Sequence, residues 1–110
     1  MSAPSNNLLW LQDLYSAFTD GEWEHAYGLE ITTLDNPGWR LKFDLNGSML
    51  EAAPFTRLEI ERTEHDWLHC WTAETKFQAA CGPRNLDEVL TVFREWVAQN
   101  GISISSGSQA

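Results

Sequence analysis

The densest group of side chains that could perform chemistry is the segment Asp20-Gly21-Glu22-Trp23-Glu24-His25. A carboxylate next to an imidazole can act as a general acid and base, or can contribute ligands to a metal site. Adjacent strand residues point to opposite faces of a sheet, so Glu24 and His25 cannot both point inward if a strand has begun there. No second ligand pair has the spacing to complete a site, and we predict no bound metal here.

His69 is the second candidate, because it lies between Trp67 and Trp71 on one face of a predicted strand. A neutral imidazole in this position can donate one hydrogen bond and pack against the indole rings, as a core histidine does. The alternative is a small polar site in which His69 meets His25 or Asp66 across the sheet. The sequence leaves both interpretations open.

A small enzyme or metal-dependent hydrolase that uses Glu24, His25 and His69 would require these side chains to converge within hydrogen-bond reach. The sequence contains no Gly-x-Ser-x-Gly nucleophile motif, no Gly-x-Gly-x-x-Gly fingerprint and no P-loop. We therefore expect no catalytic residue and no cofactor, and the enzyme is the alternative hypothesis.

Tryptophan is unusually frequent, and six indoles cannot all be fully interior in so small a core. Some of them are therefore expected at the surface. Exposed Trp and Tyr among acidic groups are typical of a protein-binding hot spot. The other interpretation is that the indoles pack helices against a sheet and keep one edge in water. The tryptophans are Trp10, Trp23, Trp39, Trp67, Trp71 and Trp96.

The formal net charge of −9 on 110 residues argues against nucleic acid or an anionic membrane as a partner. The same charge would attract a basic protein, although acidity can also serve solubility alone. No stretch approaches the roughly 18 to 20 apolar residues that cross a bilayer, and the first seven residues do not resemble a signal peptide. A cytoplasmic location is expected, and Cys70 and Cys81 are predicted to be reduced, buried side chains.

Two amphipathic helices are predicted near the ends of the chain. Apolar residues recur at steps of three and four over residues 8–18, which predicts a helix that begins near residue 6 or 7. A second apolar stripe predicts a helix over residues 86–99. Asn85, followed three residues later by Glu88, has the spacing of a capping box at its start.

Between these helices, the apolar period changes to two, which predicts five strands. Short connections favour an antiparallel meander with both helices on one face, and hence an α+β fold. The fourth strand has apolar groups on both sides, which is explained if it is central and covered on both faces. The strands are expected at residues 27–32, 39–45, 57–61, 67–73 and 77–81, with a turn at residues 35–38 between the first two.

The expected domain organisation is simple. Residues 1–7 are predicted to be a flexible N-terminus, residues 8–101 a single α+β domain, and residues 102–110 a serine-rich disordered tail. A chain of this length fits one domain, since domains most often have roughly 100 to 150 residues.

Four separated segments of the chain form a recognisable set when taken in order. They are Gly21-Glu22-Trp23-Glu24-His25-Ala26-Tyr27-Gly28, Thr33-Leu34-Asp35-Asn36-Pro37-Gly38-Trp39, Trp67-Leu68-His69-Cys70-Trp71 and Gly82-Pro83-Arg84-Asn85-Leu86. Together they resemble the immunity protein 53 family, over roughly residues 9–97. The resemblance implies a bacterial polymorphic toxin system, in which the protein binds and neutralises a cognate toxin domain. It transfers no catalytic residue.

An acidic surface suits a basic toxin such as a nuclease, because it takes the place of the phosphates of the substrate. Expected exposure, charge and aromatic character together select seven partner contacts in loops or at strand ends. A self-associating structural module is the remaining alternative, and the oligomeric state is left open. The seven residues are Trp23, Glu24, Tyr27, Asp35, Asn36, Trp39 and Asp66.

Overall fold

The computed structural model describes residues 6–102, so most of the predicted N-terminal segment 1–7 and of the predicted tail 102–110 lies outside the described residues. This part of the chain forms three α-helices and five β-strands. In chain order they are α1 (Asn7–Phe18), α2 (Trp23–Ala26), β1 (Leu29–Leu34), β2 (Gly38–Asp44), β3 (Leu58–Thr63), β4 (Asp66–Ala73), β5 (Lys76–Cys81) and α3 (Leu86–Gln99).

The helix α1 begins where the sequence predicts, because Asn6 caps it. The Asn6 side-chain oxygen accepts the backbone N–H of Leu9 at 3.0 Å, which satisfies one of the free amides of the first turn. The buried side chain of Asn7 then donates to the Thr91 hydroxyl at 2.7 Å and accepts a hydrogen bond from Arg94. These polar contacts join the start of α1 to α3.

The five strands form one antiparallel sheet, as predicted, in the order β1-β2-β5-β4-β3. This order departs from the predicted meander in one step. The connection over residues 45–57 carries the chain from β2 to the far edge of the sheet, so β5 enters between β2 and β4. The strand β5 takes the central place because Phe77, Gln78 and Ala79 are all buried, whereas β1 and β3 are largely exposed edge strands.

Both α1 and α3 cover the same face of the sheet, which is the core face. Phe93 of α3 stacks on Phe77 of β5 with 4.2 Å between ring centroids, and it also contacts Trp10 of α1 and Phe43 of β2. All four side chains are almost completely buried. The prediction of helices on one face is confirmed, and the opposite face, which we call the open face, is not covered by any described helix.

The strand β4 lies between β3 and β5, but the expectation that both of its faces are covered is wrong. Leu68 and Cys70 are fully buried on the core face. Trp67, His69 and Trp71 lie on the open face and are only half-buried. The apolar character of this second side comes from rings that pack on the sheet itself rather than beneath a helix.

The predicted capping box at the start of α3 is not formed. Asn85 is the N-cap residue, but its side chain makes no capping hydrogen bond to the helix. The amide is buried and instead donates to Asp66 at 2.9 Å and to the Glu88 carboxylate at 3.1 Å, while its oxygen accepts the backbone N–H of Trp67. Asn85 therefore joins α3 to β4, a long-range role that the local spacing could not indicate.

Candidate functional site

The acidic segment singled out in the sequence forms a short helix, α2, that periodicity did not predict. The Asp20 carboxylate accepts the backbone N–H groups of Glu22 and Trp23, both at 2.9 Å. The Glu24 carboxylate accepts the N–H groups of Asp20 and Gly21, also at 2.9 Å. These reciprocal bonds hold the turn, and Gly21 provides the positive φ of 95° that it needs.

The same backbone N–H donors lower the pKa values of the Asp20 and Glu24 carboxyl groups. The N–H of Trp23, followed by that of Glu22, lowers the pKa of Asp20. The pKa of Glu24 is lowered by its own backbone amide and by those of Asp20 and Gly21. Both carboxylates therefore stay charged while they hold α2 in place.

Trp23 lies in the core and not at the surface, which corrects the expectation of an exposed indole. Its side chain is 7% exposed and packs against Phe18, Tyr15 and Phe43 with ring centroids 5.2 to 6.0 Å apart. The indole Nε1 is buried and has no hydrogen-bond partner among the described residues. A buried N–H without an acceptor destabilises a fold by about 1–3 kcal/mol.

Next to Trp23 is a surface cavity of about 680 Å³. It is bounded by the end of α1, by α2 and by the connection over residues 46–51, and we call it the α2 cavity. Apolar side chains line part of it, including Phe18, Trp23, Tyr27 and Met49. Tyr27 is 42% exposed and Met49 66% exposed, so two large side chains at this cavity are open to solvent.

The α2 cavity is also strongly acidic. Its described lining includes Asp20, Glu22 and Glu51 but neither lysine nor arginine. The adjoining pocket, which shares Ala26 and Tyr27 with the cavity, is mixed in charge. It is lined by Glu30, Lys42, Asp44 and Lys76.

The open face of the sheet has a different character. The guanidinium groups of Arg40 and Arg57 both lie over the Trp71 ring, each 5.0 Å from its centroid. Arg40 also donates to the Gln78 side chain at 2.6 Å. Cations and carboxylates both occur across this face, as in the pairing of Lys42 opposite Glu30. The open face is therefore mixed in charge, whereas the α2 cavity is acidic.

The seven predicted partner contacts fall at opposite ends of the sheet. Trp23, Glu24 and Tyr27 lie beside the α2 cavity, before β1 begins. Asp35 and Asn36 are exposed in the turn that follows β1. A six-residue strand separates the two groups by roughly 20 Å, at about 3.4 Å per residue.

Trp39 and Asp66, the remaining two, lie at the same end as that turn and are held by neighbouring residues. Trp39 is half-buried and its Nε1 donates to the carbonyl oxygen of Pro83 at 3.0 Å. Asp66 accepts hydrogen bonds from Asn85 and from Arg62, which lower the pKa of its carboxyl. Both side chains thus have local structural partners.

The enzyme alternative required Glu24, His25 and His69 to converge, and the structure does not bring them together. His25 is exposed on α2, before edge strand β1, whereas His69 lies on β4, three strands away. The His69 Nε2 is 2.8 Å from the Glu61 carboxylate on the open face, and its ring contacts Trp67. Over residues 6–102, no group of three or more His, Cys, Asp or Glu side chains could hold a metal ion.

The two cysteines are free thiols in the core, in agreement with their prediction as buried side chains. Burial raises the pKa of Cys70 to about 12 and that of Cys81 to about 11. Thiols that remain protonated at neutral pH are poor nucleophiles. Neither cysteine is therefore a candidate for catalysis.

Comparison with known proteins decides the family. Residues 8–98 match the family model described as immunity protein 53. The chain belongs to the immunity protein 53 family. A search of curated proteins and a search of solved structures found no match. Membership of an immunity protein family indicates toxin neutralisation and implies a cognate toxin as partner.

Part of the acidic cavity of this immunity protein 53 family member has no signal in the sequence. Met49 and Glu51 lie in the irregular connection after β2, where no periodicity marks a residue as part of a surface. The acidic run from Asp20 to Glu24 was recognised, but its pairing with this connection is a long-range feature.

No described helix of the chain has the length and apolar character needed to cross a membrane.

Proposed function

We propose that this protein is an immunity protein that binds a basic toxin domain in the cytoplasm and neutralises it by stoichiometric occlusion. Family membership supports neutralisation of a toxin. The observation that supports a basic toxin is the acidic lining of the α2 cavity, in which the described residues include three carboxylates but neither lysine nor arginine. A nuclease of a polymorphic toxin system is such a target, because a surface that binds phosphates also attracts carboxylates.

The distribution of cations strengthens this proposal. Away from the α2 cavity, several cations already have carboxylate partners within the chain, so their charges largely cancel. The three carboxylates that line the α2 cavity have no lysine or arginine beside them in the described lining. Complementary charge of this kind accelerates encounter with a basic partner. The pairs are Arg57 with Glu59, Arg62 with Asp66 and Glu88, and Lys76 with Asp44.

The edge strand β1 connects the proposed contacts into one surface. Tyr27 and Glu24 precede it and Asp35 and Asn36 follow it, and among the described strands β1 pairs only with β2. A standard interface buries about 800 Å² on each partner, which corresponds to a patch roughly 30 Å across. A toxin placed along β1 would therefore reach both groups. In this arrangement Trp23, Trp39 and Asp66 hold the surrounding loops in position.

The proposal is tested by recovery of the partner. The tagged protein is expressed in its own source, with the neighbouring genes active, and the chains that bind are identified by mass spectrometry. We expect one basic toxin-like domain in equal amount, with binding that weakens as the salt concentration rises. Recovery of an acidic partner, or of none from cells that make the folded protein, would contradict the proposal.

The oligomeric state is measured on the same sample by light scattering coupled to gel filtration. A monomer that becomes a heterodimer with the toxin agrees with stoichiometric occlusion. A stable homodimer that buries Tyr27 and β1 would instead favour the self-associating module.

A further inference from the structure

We infer that the α2 cavity is the receptor for one arginine or lysine side chain of the cognate toxin, an assignment that rests on the proposed function. The cavity volume of about 680 Å³ lies within the roughly 300–1,000 Å³ of pockets that enclose small ligands. A long basic side chain with its adjoining backbone is of this scale. The toxin would thus be anchored at a defined point and not only attracted by diffuse charge.

Aromatic and sulfur-containing side chains give the cavity its affinity for a cation with an apolar stem. Tyr27 presents an exposed ring, and the negative face of such a ring attracts a guanidinium or ammonium group. Met49 is exposed and unbranched, so it can repack around the methylene groups of an inserted side chain. Phe18 at the end of α1 and Trp23 at the start of α2 add apolar lining.

Carboxylates at the cavity are held in position before any partner arrives. Asp20 is fixed by the N–H groups of α2, and Glu51 accepts the backbone N–H of Gly47 at 3.1 Å. Glu22 also lines the cavity, is exposed to solvent and adds a third negative charge. Because two of the three groups are already ordered, less conformational entropy is lost when a cation binds.

Charge complementarity selects this occupant over the two others that the chain itself could offer. Residues 103–110 follow Ile102, which also lines the cavity, but they contain neither lysine nor arginine. A second copy of the chain carries the same net charge of −9 and would be repelled at long range. A basic side chain of another protein neutralises the carboxylates instead.

The first test does not require the toxin. The isotope-labelled protein is titrated with N-acetyl-arginine amide, and with the citrulline analogue, in which an uncharged urea group replaces the guanidinium. Amide and indole NMR signals are recorded. We expect saturable shifts at Trp23, Tyr27 and Gly47 with the arginine probe and none with the citrulline probe. Equal shifts with both probes, shifts scattered over the whole acidic surface, or no shift at the solubility limit would overturn the assignment.

Matched variants locate the effect. The double variant Glu22→Gln/Glu51→Gln removes two charges at the cavity, and glutamine keeps an oxygen that can accept the Gly47 N–H. The control Glu64→Gln/Glu95→Gln removes two exposed charges elsewhere. We expect the first variant to lose the arginine response and the second to retain it. The opposite result, or an identical response from both, would show that the cavity is not the site.

The same variants separate this inference from the proposed function once the toxin has been recovered. The cavity variant is expected to bind the toxin about tenfold or more weakly than the wild type, and the control to bind as the wild type does. Equal affinity of both variants would refute the cavity assignment alone. Failure of the wild type to bind any toxin would refute the proposed function, whatever the arginine probe does. If gel filtration shows a homodimer for the wild type and the control but not for the cavity variant, the cavity is instead a contact between two copies of the chain.

Discussion

Two buried tryptophans with almost equal exposure provide an internal comparison for the role of Trp23. Trp23 is 7% exposed and Trp96 is 6% exposed, and both pack in clusters of aromatic rings. They differ at Nε1. The Trp96 indole donates to the carbonyl oxygen of Pro54 at 2.9 Å, whereas the Trp23 indole has no acceptor among the described residues. The substitutions Trp23→Phe and Trp96→Phe should therefore have different effects on stability.

The expected difference follows from the hydrogen bond, because both substitutions remove the same atoms. Trp96→Phe loses a hydrogen bond that contributes about 0.5–1.5 kcal/mol, in addition to the loss of ring volume. Trp23→Phe loses the same ring volume but also removes an unsatisfied buried N–H, which relieves about 1–3 kcal/mol. Trp96→Phe should consequently lower the free energy of unfolding by about 1.5–4.5 kcal/mol more than Trp23→Phe does.

Urea unfolding followed by far-UV circular dichroism measures this difference, since dichroism does not depend on either indole as a fluorophore. If the free energy of unfolding falls with urea concentration at the same slope in both variants, the two variants differ in stability alone. If Trp23→Phe destabilises the protein as much as Trp96→Phe or more, the reasoning is refuted, and the Trp23 N–H must have an acceptor in solution.

Two further predictions concern the sheet and its link to α3. In Gly38→Ala an added Cβ would overlap the carbonyl oxygen of Cys81, so we expect a loss of about 1–3 kcal/mol in urea unfolding. Gly28→Ala meets nothing within 4 Å and should be nearly neutral; equal losses would contradict this packing. In Arg62→Gln the loss of Arg62, which lowers the pKa of Glu88, should reduce the thermal midpoint at neutral pH. The pKa of Glu88 is lower in the folded protein than in the unfolded chain. The stabilisation by Arg62 is therefore fully present above the unfolded-state pKa of Glu88, and it disappears as the pH falls through the folded-state pKa. A difference from the wild type that persists in acid would contradict this origin.

The parts of the fold that local patterns determine could be predicted from the sequence. The helix α3 has the predicted limits because its apolar stripe is continuous and ends at Asn100-Gly101. The strands β2 and β5 were predicted within one residue, since their alternation is strong and turn residues bound them. These signals lie within a few residues of the structure that they specify.

Features that depend on distant residues could not be predicted in this way. The short helix α2 is held by carboxylate bonds to the backbone rather than by an apolar stripe, so periodicity gave no sign of it. The burial of Trp23 depends on Phe18 and Phe43 from two other elements. The place of β5 at the centre of the sheet likewise depends on which strand is most completely buried.

The candidate site shows the same division between local and distant information. The acidic run and the exposed Tyr27 were recognised from residue type. The contribution of Glu51 and Met49 depends on how the connection after β2 folds back beside α2, which the sequence pattern does not encode. The resemblance to the immunity protein 53 family is confirmed over residues 8–98 and supplied the partner class that no individual residue could.

The most direct test of the central claim is a titration of toxin activity. The toxin domain recovered with this protein is held at a fixed concentration well above its dissociation constant, and its activity is measured as the immunity protein is added. Stoichiometric occlusion predicts a linear decrease that reaches zero at one molecule per toxin molecule, with no chemical change in the toxin. Activity that persists in excess immunity protein, or that is abolished by a small fraction of an equivalent, would contradict neutralisation by binding.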